Sequence, residues 1–226
     1  MVSISEPSKA KTPAIRILLV DDHPMVRERL AEIINREKDL AVCAEAADRQ
    51  GAIEAVQTTQ PDLAIIDLAL KNSSGLELIK DLHARWPKLL MLVVSMHDEL
   101  LYAERVLRAG ARGYITKQEA TRNILLAIRR VLNGNVYLNE KTATTVIARL
   151  TSKPQAGDGS LAGLLTDREL QVFELTGNGL STKEIAGQLG IDVKTVETYR
   201  VRIKDKLNLQ GSSELLQLAI RWMQNR

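Results

Sequence analysis

The sequence predicts an α/β domain built on a parallel sheet, followed by a small all-α domain. Three observations carry this. Short apolar runs such as Leu63-Ala64-Ile65-Ile66 recur through residues 15–116 and alternate with stretches of helical spacing. Runs apolar on both faces belong to sheets covered on both sides. Several of these runs stop on a charged or hydroxyl residue. Beyond Leu164 such runs cease, and two Ser/Thr-x-x-Glu capping boxes introduce helices instead.

Taken in order, Ile15–Val20 is the first strand and ends on Asp21-Asp22. His23-Pro24 breaks the chain, and Met25, Leu30, Ile33 and Ile34 space a helix over residues 25–34. Leu40–Ala46 is the second strand. A helix over residues 48–59 buries Ala52, Ile53, Ala55 and Val56, and Pro61 closes it. The third strand, residues 63–66, runs into Asp67 and the polar loop 71–75. A helix over residues 75–86 is ended by Pro87. The fourth strand, residues 89–94, runs into Ser95, and the helix after it stops at Gly110. Gly113–Thr116 is a short fifth strand ending on Lys117, and a last helix over residues 120–132 stops at Asn133-Gly134.

Strands alternating with helices imply a parallel sheet with right-handed crossovers and helices on both faces. All carboxyl ends of the strands then share one edge, where such sheets bind ligands. Asp67 alone reads equally well as a helix cap. Its alignment with Asp21, Asp22, Ser95 and Lys117 on one edge favours a site. Three neighbouring carboxylates repel one another without a cation. Oxygen ligands suit Mg²⁺, which is usually completed by phosphate oxygens. Lysine and serine can hold a phosphoryl group, and an aspartate can accept one.

On these residues, the first domain resembles the receiver domain of bacterial two-component response regulators, over residues 15–133. The resemblance implies a flavodoxin-like, five-stranded parallel sheet of order 2-1-3-4-5. It implies Asp67 as phosphoacceptor, and Mg²⁺ held by Asp21, Asp22, Asp67 and the backbone carbonyl of Ala69. It further implies Ser95 and Lys117 as phosphoryl-holding groups, and Tyr114 as the aromatic drawn inward on phosphorylation. Two positions depart from the family pattern: Lys71 replaces a usual proline, and Ala69 is small for its place. Cys43 is expected in the core, His83 on a solvated helix face, and Met91 and Met96 in packing. His23 lies beside the acid pair, although Mg²⁺ prefers oxygen to imidazole.

Residues 1–14 read as a polar tail and residues 134–163 as a linker, with a helix over 139–150. The Gly/Ser/Pro-rich stretch 151–160 is expected to be flexible, letting the domains move relative to each other. In residues 164–226, Thr166 and Glu169 form one capping box, and Ser181 and Glu184 another. A short helix, a turn through Gly190 and a longer helix capped by Asp192 make a helix-turn-helix. Helical geometry places Val196, Ile203 and Leu207 on the core face of the longer helix, flanked by Tyr199 and Arg200. Lys194, Glu197, Thr198, Val201, Arg202 and Asp205 fall outside. Thr166 to Glu169, Lys183-Glu184-Ile185-Ala186, Thr195-Val196-Glu197 and Lys206-Leu207 closely resemble the LuxR-type DNA-binding domain. That resemblance implies base contacts by Glu197, Thr198 and Val201. It also implies candidate phosphate contacts by Lys183, Tyr199, Arg200 and Lys204, while Lys194 and Arg202, on the same outer face, are expected to bind DNA as well. The last helix carries more apolar surface than one core needs, which marks Leu216, Ile220 and Trp222 as dimer contacts.

Composition narrows the function. The net charge is only +3 in 226 residues, so nucleic-acid binding must rest on local placement of charge. The single cysteine excludes an internal disulfide framework and suits a reducing cytoplasm. No run is apolar and long enough to span a membrane. Together the two resemblances imply a NarL/FixJ-type response regulator. Its expected partners are a histidine kinase, double-stranded DNA, a second copy of itself and RNA polymerase. Two other readings are weaker. An Asp-nucleophile phosphatase of the haloacid dehalogenase type needs a second Asp where Ala69 stands. A phosphorylation-independent regulator would have no use for the full set of site residues.

Overall fold

The computed structural model describes residues 14–70, 73–151 and 161–224. Most of the expected polar tail, Lys71 and most of the stretch 151–160 lie outside the described residues. The first domain comprises β1 (Ile15–Val20), α1 (Pro24–Asn35), β2 (Leu40–Ala46), α2 (Arg49–Thr59), β3 (Leu63–Ile66), β4 (Ala69–Leu70), β5 (Ser73–Ser74), α3 (Gly75–Arg85), β6 (Leu90–Ser95), α4 (Glu99–Ala109), β7 (Gly113–Thr116) and α5 (Lys117–Leu132). The main sheet is parallel, in the order β2-β1-β3-β6-β7. Counting only its own strands, this is the expected order 2-1-3-4-5. The additional β4–β5 pair is a two-residue antiparallel hairpin directly after Asp67. Strands this short carry no periodicity, so the sequence reads them as loop.

Alternation of side chains across the strands splits the apolar residues between two cores. Ile17, Leu19, Leu63, Ile65, Leu92 and Val94 pack with residues of α1 and α5. Leu18, Val20, Ala64, Ile66, Met91 and Val93 pack with residues of α2, α3 and α4. Each buried Leu or Ile contributes about 1.5–3 kcal/mol of transfer free energy, so these two layers fix the strand register and hence the sheet edge. Two expectations change here. Cys43 is only half-buried because β2 is an edge strand, and its Sγ lies 3.6 Å from Thr59 Oγ1. Met91 is core, but Met96 is 66% exposed because it lies beyond the end of β6.

After the sheet come α6 (Glu140–Thr151), α7 (Leu161–Leu164), α8 (Asp167–Gly177), α9 (Thr182–Leu189), α10 (Val193–Leu207) and α11 (Ser212–Gln224). Asn139 fixes the start of α6, accepting from Thr142 N at 2.8 Å. Asn139 is itself held by the buried Glu99 carboxylate, to which it donates from its backbone N at 2.9 Å and from its side-chain amide. Burial pushes Glu99 up to about 7, against the hydrogen bonds from Asn139. The folded chain therefore binds this proton more tightly than the unfolded one, and stability falls as pH rises from about 4.5 to about 7. Glu99→Gln should remove this dependence. Its stability relative to wild type should rise across that window by at most about 3 kcal/mol. Chemical denaturation of both proteins from pH 4.5 to 8 checks it, and parallel curves would refute it.

In the second domain both capping boxes are formed, by Thr166 with Glu169 and by Ser181 with Glu184. Gly190 turns the chain between α9 and α10 at φ 61°, a left-handed conformation glycine adopts readily. A Cβ on Gly177 would lie 2.8 Å from Ala219 O, so glycine lets α8 and α11 approach closely.

The two domains touch. Lys80 Nζ lies 3.0 Å from Asp167 Oδ2, and Arg105 pairs with the same carboxylate while donating to Leu165 O at 2.9 Å. Tyr102 OH donates to Glu174 Oε2 at 2.7 Å in a buried contact. The apolar cluster on the α2–α4 face of the sheet is continuous with that of the second domain, including Phe173, Ile185, Val196 and Ile203. The domains expected to be loosely tethered are thus held together by polar pairs over shared packing.

Candidate phosphoryl and DNA sites

Strand ends bring the predicted acids together. Asp21 follows β1 and Asp67 follows β3, and both are buried. Asp67 N donates to Val20 O at 2.8 Å, which extends the ladder by one step and places the carboxylate at the edge. Lys117 opens α5 directly after β7. Thr116 caps that helix by accepting from Glu119 N at 3.3 Å, so α5 begins three residues earlier than predicted. From there Lys117 Nζ reaches Asp67 Oδ2 at 2.6 Å and Asp21 Oδ2 at 2.7 Å. Burial raises Asp67 above the usual carboxylate range, with Lys117 opposing and Asp21 adding to the rise. Burial alone would lower Lys117, but the facing Asp67 and Asp21 charges hold it above the ordinary range.

Asp22 is half-buried, and its Oδ1 lies 2.7 Å from His23 Nδ1. Asp21 Oδ1 accepts from His23 N at 2.9 Å. Ligand atoms of Asp21, Asp22, His23 and Asp67 all fall within 4.8 Å of one another. Three carboxylates, two of them buried, form an oxygen donor set that fits a hard divalent cation such as Mg²⁺. His23 comes closer than the sequence alone implies. Ala69 is exposed, and its N–H donates to Asp67 Oδ1 at 3.3 Å.

Ser95 is fully buried at the end of β6 and accepts from His97 N at 3.4 Å. The Ser95 hydroxyl lowers the Asp67 carboxyl and the Tyr114 hydroxyl, against the larger upward effect of burial on each. Tyr114 is 0% exposed and donates to the carbonyl of His97 at 2.8 Å. Burial pushes its hydroxyl well above the ordinary range. The Tyr114 ring is thus inside in this structure, within the core on the α2–α4 face of the sheet.

Three residues at the site escaped the sequence reading. Gly75 begins α3 directly against the backbone of Asp67 and Leu68. A glycine that opens a helix instead of closing it was the available signal. Glu99 and His97 follow Ser95 with no distinguishing pattern.

In the second domain, Lys194, Glu197, Thr198, Val201 and Arg202 are exposed on α10, Val201 by 50%. Val196 and Ile203 are fully buried, so the predicted division of this helix into two faces holds. Tyr199, Arg200 and Lys204 are half-buried at the boundary, and Lys183 is exposed on α9. Arg200 Nη1 donates to Thr182 Oγ1 at 2.7 Å, tying α10 to the start of α9. On α11, Leu216 is 38% exposed and Ile220 is half-buried. Trp222 packs edge-on against Phe173 with ring centroids 5.3 Å apart, so part of the surplus apolar face serves its own core.

A receiver-type α/β domain joined to a helix-turn-helix is the plan of a regulator of transcription. Comparison with known proteins agrees for both halves. Residues 17–129 match the response regulator receiver domain, and residues 163–219 match the bacterial regulatory proteins of the luxR family. The chain is 39% identical over 204 residues to the transcriptional activator protein ExaE of Pseudomonas putida, covering 90% of this chain and 95% of that one. It is 33% identical over 212 residues to the oxygen regulatory protein NreC of Staphylococcus epidermidis, covering 92% and 97%. Among solved structures, a LuxR-family two-component response regulator from Aurantimonas sp. SI85-9A1 has TM-score 0.57 and 32% identity, covering 62% of this chain and 99% of that one. RcsB from Salmonella enterica serovar Typhimurium, bound to a promoter with phosphomimetic BeF3⁻, has TM-score 0.61. At 22% identity, over 91% of this chain and 98% of that one, it supports the fold alone. The chain belongs to the two-component response regulators with a LuxR-type DNA-binding domain. Among the described residues, no helix is long and apolar enough to cross a membrane.

Proposed function

We propose that this protein is switched by transfer of a phosphoryl group from a histidine kinase to Asp67, and that the phosphorylated form binds DNA as a dimer. The observation that carries this reading is the bridge of Lys117 between two buried carboxylates beside Ser95. A carboxylate oxygen of Asp67 attacks phosphorus, and the phosphorus–nitrogen bond of the donor breaks, its electron pair staying on the histidine. Lys117 balances charge on the transferring oxygens, and Ser95 supplies a hydroxyl to one of them. Asp21, Asp22, Asp67 and the carbonyl of Ala69 would hold Mg²⁺, which neutralises charge during in-line transfer. The dimer, through Leu216, Ile220 and Trp222, would read paired half-sites and meet RNA polymerase in the cytoplasm. The four regions are those drawn from the sequence: tail, receiver to residue 133, linker, and DNA-binding domain from residue 164. Ala69 stands where a phosphatase of the rival class needs its acid, which argues for a switch over a turnover enzyme.

Incubation with a small phosphodonor and Mg²⁺ should add one phosphoryl group to the wild type and none to Asp67→Asn, as read by intact-protein mass. Labelling that persists in the mutant, or proceeds without divalent metal, refutes the assignment.

The DNA face separates two kinds of residue. Glu197 can accept from the amino group of cytosine, whereas Lys204, half-buried at the boundary of that face, is placed to hold phosphate without choosing sequence. Glu197→Ala should relax preference at one position of each half-site, a loss of about 1–3 kcal/mol in discrimination. Lys204→Ala should weaken binding to all sequences alike and flatten its salt dependence. Site selection for both variants and a salt titration for the second check this. The reverse pattern would exchange the two roles.

A further inference from the structure

We propose that the strand-end acids form a mixed oxygen–nitrogen metal site, in which His23 Nδ1 is a ligand and makes the chain prefer a first-row divalent ion such as Mn²⁺ to Mg²⁺. This rests on the reading of those acids as a metal site. His23 follows the acid pair directly, and its backbone is pinned from both sides. Its N–H donates to Asp21 Oδ1 at 2.9 Å, and its carbonyl accepts from Val26 N at 3.1 Å and from Arg27 N at 3.3 Å. The residue stands at the N-cap of α1, where a polar side chain ordinarily accepts from the N–H groups of the first turn. Its ring makes no such bond. It turns to the acids instead, with Nδ1 2.7 Å from Asp22 Oδ1 and 3.1 Å from Asp21 Oδ1.

Further details point to a cation among these atoms. Asp22 Oδ1 is buried and accepts no well-aligned hydrogen bond, although Nδ1 is so close. Lys117 engages Oδ2 of both Asp21 and Asp67, whereas His23 faces Oδ1 of Asp21 and of Asp22. The lysine and the imidazole thus serve different oxygens of the Asp21 carboxylate, and neither displaces the other. Ligand atoms of Asp21, Asp22, His23 and Asp67 all fall within 4.8 Å of one another. Atoms on opposite sides of an octahedral ion stand about 4.2 Å apart, so shifts of about half an ångström would close all four on one ion. The His23 side chain is 63% exposed, which leaves its ring free to tilt and to carry its proton on Nε2, with the Nδ1 lone pair turned inward. Mg²⁺ keeps to oxygen, and imidazole favours first-row ions. Mn²⁺ takes the same carboxylates and accepts the nitrogen as well.

The test uses the full chain with Mn²⁺ or Mg²⁺ as the only added ligand. Pulsed electron paramagnetic resonance of bound Mn²⁺ should show modulation from a directly bound imidazole nitrogen. His23→Gln should abolish it, and labelling histidine with heavy nitrogen should change its pattern in the unsubstituted chain. By calorimetry, His23→Gln should weaken Mn²⁺ binding by about tenfold and Mg²⁺ binding by less than about twofold. Mn²⁺ bound without the nitrogen signal, or equal losses for the two ions, overturns His23 as a ligand and leaves the acid site standing. A wild type that holds Mg²⁺ as tightly as Mn²⁺ overturns the preference. A wild type that binds neither ion overturns the metal site itself, and this inference with it.

Discussion

Gly75→Ala should destabilise the protein by about 3 kcal/mol or more, at the upper end of overpacking effects. An added Cβ would sit 2.0 Å from the carbonyl oxygen of Asp67 and 2.7 Å from Leu68 Cα. Both are backbone, so no side chain can rotate away. Gly75 N also donates to Leu68 O at 3.0 Å, which pins the start of α3 to this place. The only relief is to push α3 or the end of β3 outward, and the end of β3 carries Asp67. A fall in melting temperature of about 10 °C is expected for a domain of this size. Phosphoryl uptake at permissive temperature should slow as well, because the acceptor moves relative to Lys117. Calorimetry and the phosphodonor assay report these separately. A variant that melts like wild type would mean that the approach of α3 is looser than the structure has it.

Lys117→Ala should have an effect of comparable size. It leaves Asp21 and Asp67 buried with no cation between them, and a buried charge stripped of its partner costs about 3–5 kcal/mol. The two carboxylates would then share a proton, raising the proton affinity of Asp67 further. Uptake should fall because a protonated acid is a poor nucleophile and the phosphoryl oxygens lose their cation. Magnesium ions at millimolar concentration should recover stability more in this variant than in wild type, since a divalent ion can replace the missing charge. They should not recover uptake fully. Thermal melts with magnesium or with chelator check the first point. Equal magnesium shifts in both proteins would show that Lys117 is not what balances these acids.

Much of this was legible in the chain. Buried strands such as 63–66 announce themselves by four apolar residues in a row, and the polar residues that end several of these runs mark the edge of the candidate site. The outer face of α10 followed from helical angle alone, because Val196 and Ile203 are spaced for burial. What could not be read depends on three-dimensional approach. Gly75 is critical only because α3 passes beside Asp67. The β4–β5 hairpin is too short for any pattern. Glu99 and Asn139 are far apart in sequence, and nothing local indicates that one caps the other. The start of α5 at Lys117 was misplaced because threonine at residue 116 suits a strand as well as a cap. Tyr102 and Glu174 lie in two separate helices of different domains, and only the docked domains make them a pair.

The apolar cluster that runs from the α2–α4 face into Phe173, Val196 and Ile203 has a consequence for how the chain tolerates change. Receiver and output are separable in sequence, yet on this side of the sheet they share one packed cluster. Among the described residues, the layer against α1 and α5 has no such extension. Substitutions beneath α3 and α4 are therefore felt in the DNA-binding half, while those beneath α1 and α5 are absorbed within the receiver. A cavity opened on the α2–α4 face is thus expected to lower the stability of both halves, and one opened on the α1–α5 face that of the receiver alone.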